Sequence, residues 1–188
     1  ALASCGVIAA DDSSTSSVLS QMEVSASSSI VSSQALAVAP YPGPPHIHST
    51  LWNSMLAPLA RVISVSGWLW YQGESNAGNP ERYTCTQPAM IAAFRSSFQH
   101  ASSAPFVFVQ VSSWPTNDFG LVTGIRYAQA QTLAKVPNAV GMVVAADIGD
   151  PAGAYHPIHS PFKQEVARRM AVQMGRIQQQ QQQHQQQH

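Results

Sequence analysis

A run of β-branched and aromatic residues, Val62 to Tyr71, stops abruptly at Gln72-Gly73-Glu74-Ser75-Asn76. Gly73 permits a tight turn, and amide, carboxylate and hydroxyl side chains surround it. Acyl transfer needs hydrogen-bond donors aimed at the oxygen where negative charge develops, and an amide side chain with a Gly N–H can supply them. A polar strand-to-helix loop that only caps backbone groups would carry the same residues, so pattern alone leaves both readings open. A second cluster, Asp147, Asp150, His156 and His159, follows the apolar run Val140 to Ala146. A loop histidine titrates near neutrality and can take the proton of a serine hydroxyl, with an acid to orient its ring. The same four side chains are ligand types for zinc or manganese, but spacing on a loop fixes no geometry, and no metal is expected.

These clusters need elements that hold them. Ser49 to Leu59 is expected to be a helix, with Leu51, Met55 and Leu59 on one face. Val62 to Tyr71 reads as a buried strand. Gln87 to Phe98 reads as a helix with Pro88 in its first turn and Met90, Ile91, Phe94 and Phe98 in one stripe. Phe106 to Val111 is a second strand, Ile125 to Lys135 a helix, Val140 to Ala146 a third strand, and Phe162 to Ile177 a last helix. Unbroken apolar strands alternating with helices imply an α/β fold, a parallel sheet flanked by helices. In such sheets ligands sit beyond the carboxyl ends of the strands, where both polar clusters fall.

The bulk composition excludes some partners. The chain has 188 residues, 45% hydrophobic and 10% charged, with zero formal net charge and no basic stripe, so nucleic acid is not expected to bind. No apolar run approaches the ~18 residues of a membrane span, so no membrane partner is expected either, and no leader is visible at Ala1. The two cysteines, Cys5 and Cys85, are either separate buried thiols or one disulfide. A bridge over so long a loop would stabilise by roughly 4–5 kcal/mol in the chain-entropy model and would require an oxidising compartment.

As a block, Trp70 to Asn76 resembles the WYQGESN segment of sialate O-acetylesterases, members of the SGNH (GDSL-like) hydrolases. Leu51-Trp52-Asn53-Ser54-Met55 with Ala57-Pro58-Leu59, Tyr83-Thr84-Cys85 with Pro88-Ala89-Met90-Ile91, Asp147-Ile148-Gly149-Asp150, and Ile158-His159 with Lys163-Gln164-Glu165-Val166 resemble further family segments in the same order, over residues 41–177. The resemblance implies an SGNH, flavodoxin-like hydrolase fold, incomplete at the N-terminus. It also implies Ser/His hydrolysis of O-acetyl esters of sialic acid or a related acetylated sugar, without a cofactor, in a secreted or lysosomal/endomembrane protein. It makes His159 the catalytic base, with His156 as the alternative because His156 is the one followed by Pro. Gln72, Gly73, Glu74, Ser75 and Asn76 become the oxyanion and substrate wall, with Gln72 or Asn76 donating. The acid usual three residues before the base is replaced by His156, so Asp147 or Asp150 is expected to substitute, unless a carbonyl orients the imidazole.

The family's nucleophile turn, of the Gly-Gln-Ser-Asn type after a first strand, has no counterpart in the Ser-rich stretch 11–33, so no nucleophile is expected in this chain and the chain alone is expected to be inactive. The expected organisation is a Ser-rich flexible segment or insertion over 1–40, a partial esterase domain over 41–177, and a Gln/His-rich tail over 178–188, disordered or a fraying helix. The alternative reading is a non-catalytic remnant that keeps a carbohydrate-binding cleft or a scaffold role.

Overall fold

The computed structural model describes residues 49–99, 103–113, 119–136, 138–150 and 159–187. Its centre is a three-stranded parallel sheet in the order β1 (Trp68–Trp70), β2 (Phe106–Gln110), β3 (Val140–Val144). Trp68 is in register with Phe106, and Phe106 with Val140. The helices between and after the strands are α2 (Pro80–Ser97), α3 (Phe119–Lys135) and α4 (Lys163–Gln186). A π-helical segment, Trp52–Leu56, runs into the short α1 (Ala57–Ala60) ahead of the sheet.

β2 shows how one sequence serves two layers. Side chains alternate across a strand. Phe106 and Phe108 pack on Ile91 of α2, with Val136, Val140 and Met142 around them, while Val107 and Val109 pack on Val166, Met170 and Ile177 of α4. All four β2 residues are fully buried. Helices therefore cover both faces, as the unbroken apolar runs implied. Trp68, Phe94, Phe98 and Phe106 form an aromatic cluster at the β1 side, with ring centroids 5.8–6.4 Å apart. α4 packs on β2 and β3, which leaves Leu69 of β1 57% exposed among the described residues.

The element boundaries depart from the sequence expectation in places. Only the end of Val62–Tyr71 forms a strand. Trp68 N–H donates to Pro105 O, β2 begins at Phe106, and Pro105 has no N–H to extend the ladder. Val62 is 74% exposed, and Ser64 forms an isolated bridge to Gln99. Pro88 lies inside α2 rather than in its first turn. The helix starts earlier because the Asn79 side chain accepts from Arg82 N–H at 3.2 Å and Pro80 takes the first turn. Pro88 cannot donate to Thr84 O, and that carbonyl is satisfied instead by Lys135 Nζ of α3 at 2.7 Å. α4 continues past Ile177 to Gln186, so the Gln tract is helical here, in keeping with the fair helix propensity of Gln. Cys85 in α2 is not a free thiol, and Cys5, its partner in the disulfide reading, lies outside the described residues.

The sheet core gives a direct stability test. Phe108→Ala should lower the unfolding free energy by about 3–5 kcal/mol in urea titration, because the site is closed on every side. A loss below about 1 kcal/mol would mean that the aromatic face is not packed as described.

Candidate functional site

The three strands run parallel, so their carboxyl ends share one edge of the sheet. The loop after β1 stands at that edge. Gly73 takes φ 153°, a left-handed conformation that favours glycine. A Cβ there would lie 2.8 Å from Gln129 Nε2 and 3.1 Å from Val111 Cγ1. A 3₁₀ turn, Glu74–Asn76, follows, with Asn76 N–H donating to Gly73 O at 2.9 Å, and Ala77 then buries itself beside Tyr83.

Two helices fix this loop from behind. Gln129 of α3 is fully buried. Its Nε2 donates to Gln72 O and to Val109 O, each at 3.1 Å, and its Oε1 accepts from Val111 N–H at 3.0 Å. One amide thus joins the ends of β1 and β2. Tyr83 of α2 places its hydroxyl 3.1 Å from Gln72 Oε1 and 3.3 Å from Gln72 O. Gln72 Nε2 donates to Asn76 Oδ1 at 2.6 Å. The Trp70 indole N–H lies beside the Tyr83 hydroxyl without reaching hydrogen-bond geometry. Burial first, and the Glu74 carboxylate after it, push the Tyr83 phenol up to about 12, so it stays protonated at neutral pH.

The end of β3 is held by α4. Asp147 stands in a 3₁₀ turn, Ala146–Ile148, and both of its oxygens accept from Arg169, each at 2.7 Å. Arg169 also reaches Val144 O at 2.6 Å and Glu165 at 2.8 Å, and Glu165 pairs with Arg168. These hydrogen bonds bring Asp147 and Glu165 down to about 2 each. Gly149 packs against the hydroxyls of Ser112 and Ser113, which brings the loops after β2 and β3 together. Ser160 Oγ donates to Ile148 O and accepts from Phe162 N–H, and Lys163 Nζ sits 4.5 Å above the Tyr71 ring. These tethers carry the backbone of His159 to the carboxyl edge, where its side chain is exposed.

The structure therefore brings Gln72 to Asn76 into one hydrogen-bonded unit. Asp147 and the half-buried Asp150 stand in the loop after β3, with Asp147 committed to Arg169. His156 lies outside the described residues. Among the described residues, no group of three or more His, Cys, Asp or Glu is placed to hold a metal ion, and no helix is long and apolar enough to cross a membrane. The sequence reading missed Gln129, the loop-fixing role of Tyr83, and Arg169. Gln129 left a signal: it shares a helix face with Ile125 and Thr132, and a polar residue in a stripe that must be buried needs partners.

The Arg169 network makes stability depend on pH. Both carboxyls sit below their ordinary 3.8 and 4.5, so their contribution is complete above about pH 5 and is lost as pH falls through the folded-state values near 2. The difference in thermal midpoint between the wild type and Arg169→Met should hold from pH 7 to about pH 5 and close towards pH 2. A difference that ignores pH would show that the pairs add no stability.

Comparison with known proteins gives three findings. Residues 40–176 match the family described as carbohydrate esterase, sialic acid-specific acetylesterase. The chain is 39% identical over 140 residues to the sialate O-acetylesterase of Mus musculus and 38% identical to that of Homo sapiens; each match covers 67% of this chain and 26% of the relative. A crystal structure of a carbohydrate acetylesterase from Xanthomonas citri superposes with a TM-score of 0.55 at 32% identity, over 65% of this chain and 28% of the other. The matched stretch thus spans about a quarter of the length of the relatives.

Proposed function

Since the chain belongs to the carbohydrate esterases of the sialic acid-specific acetylesterase family, we propose that it supplies the general base and the oxyanion-binding wall for hydrolysis of O-acetyl esters on sialic acid or a related acetylated sugar. The observation that carries this reading is the Gln72–Asn76 loop, an amide-rich turn locked from behind at the carboxyl edge of a parallel sheet.

In this reading His159 takes the proton of a serine hydroxyl as the serine oxygen attacks the acetyl carbonyl. The carbonyl oxygen gains charge and is held by the Gln72 or Asn76 amide. The sugar oxygen leaves with the proton from the imidazolium. Water, deprotonated by the same imidazole, then releases acetate from the acetyl-serine. Asp150 is the better candidate than Asp147 to orient the imidazole, because both Asp147 oxygens are engaged by Arg169. The nucleophilic serine comes from outside residues 41–177. A secreted or lysosomal/endomembrane setting fits the disulfide-bonded state of Cys85.

The 188-residue chain alone should release no acetate from a chromogenic acetyl ester above a boiled control. A chimera of the mouse relative carrying residues 41–177 in place of its own matched stretch should turn over. His159→Ala in that chimera should cost on the order of 10²–10⁴ in kcat. Turnover by the chain alone would assign the nucleophile to one of its own serines, with Ser75 the first to replace. A folded chimera that binds acetylated sugar without hydrolysing it would favour the non-catalytic reading.

A further inference from the structure

We infer that Tyr83 is a positioning residue for the oxyanion-binding wall: its hydroxyl sets the orientation of the Gln72 amide and, through it, of the Asn76 amide, so that the Asn76 NH₂ group faces outward as a donor. The inference rests on the reading of Gln72–Asn76 as that wall.

Tyr83 has one proton and two acceptors within reach, the Gln72 backbone carbonyl at 3.3 Å and the Gln72 side-chain oxygen at 3.1 Å. The backbone carbonyl already receives Gln129 Nε2 at 3.1 Å. The side-chain oxygen is the nearer of the two and has no other donor among the described residues, so the proton goes there. That choice turns the Gln72 nitrogen away from Tyr83 and onto Asn76 Oδ1 at 2.6 Å. With Oδ1 engaged, the Asn76 nitrogen is the free end of an exposed side chain. The opposite polarity is also self-consistent: Gln72 would donate to the tyrosine oxygen and accept from Asn76, which would turn the Asn76 nitrogen inward and its oxygen out. An outward oxygen repels a developing oxyanion, whereas an outward nitrogen donates to it. The two amides switch together, and the hydroxyl on α2 decides between the two states.

The ring of Tyr83 packs with Ala77, Val111, Val122, Ile125 and Ala128 at 4% exposure, so Tyr83→Phe removes the hydroxyl and keeps the packing. Side-chain amide NMR on the full 188-residue chain reads the effect without catalysis. In Tyr83→Phe the Gln72 and Asn76 NH₂ signals should shift and broaden as the two polarities interconvert, while the backbone amides of Phe106 and Phe108 in the β2 ladder stay in place. A loss of folding alone would move all four. In Gln72→Glu, whose carboxylate can only accept, the Asn76 NH₂ protons should turn inward and exchange with water at least about 10-fold more slowly. Unchanged Gln72 and Asn76 signals in folded Tyr83→Phe, or unchanged Asn76 exchange in Gln72→Glu, would overturn the inference. In the active chimera, Tyr83→Phe should lower kcat about 10-fold with KM unchanged, less than the 10²–10³ lost with an oxyanion donor itself. A chimera without turnover would count against the esterase reading and leave the NMR result to decide the positioning.

Discussion

One buried amide ties the loop after β1 to the end of β2. Gln129 donates twice and accepts once, and its three partners are Gln72 in that loop, Val109 near the end of β2 and Val111 just beyond it. Each such bond is worth about 0.5–1.5 kcal/mol net, and leaving the three backbone groups unpaired would cost about 1–3 kcal/mol each. That asymmetry makes the amide a lock rather than an ornament. It also dictates glycine at position 73, since a side chain there would occupy the space of the amide nitrogen. The left-handed backbone at Gly73 then launches the turn that brings Asn76 back onto Gln72.

The division of labour along the sheet follows from this lock. The strands spend their side chains on two apolar layers, with phenylalanines towards α2 and valines towards α4. The polar residues are left to the carboxyl edge, and helices reach over to organise them. α3 contributes Gln129, α2 contributes Tyr83, and α4 contributes Arg169, Ser160 ahead of its first turn and Lys163 over Tyr71. A site loop fixed from behind by α2 and α3 has little to reorganise when substrate arrives, which is what stabilisation of a developing charge demands.

Much of this was legible in the chain, and the gaps have physical reasons. The strand cores of β2 and β3 announced themselves as apolar runs. The site loop did so because five polar or small residues interrupt such a run at Gln72. Val62 and Ile63 imitate a strand because they are β-branched, although among the described residues the sheet offers them no partner strand ahead of Pro105. The start of α2 is hard to place from the sequence because Pro88 imitates a first-turn proline, while the actual one is Pro80, behind its Asn79 cap. The first turns of α3 are masked in the sequence by Thr123 and Gly124, which have low helix propensity. Tyr83 and Gln129 could not be tied to Gln72 from the sequence, since they are 11 and 57 residues away and meet it only when α2 and α3 fold back over the sheet.

Amide hydrogen exchange at Val111 tests the lock most directly. Val111 lies beyond the last residue of β2, outside the ladder, and its N–H is protected by Gln129 Oε1. It should exchange as slowly as the β2 ladder itself. In Gln129→Met it should speed up to the rate of an exposed loop, while Phe106 to Gln110 keep their protection. If Val111 already exchanges at a loop rate in the wild type, the amide does not hold the strand ends, and the rigid site built on it fails.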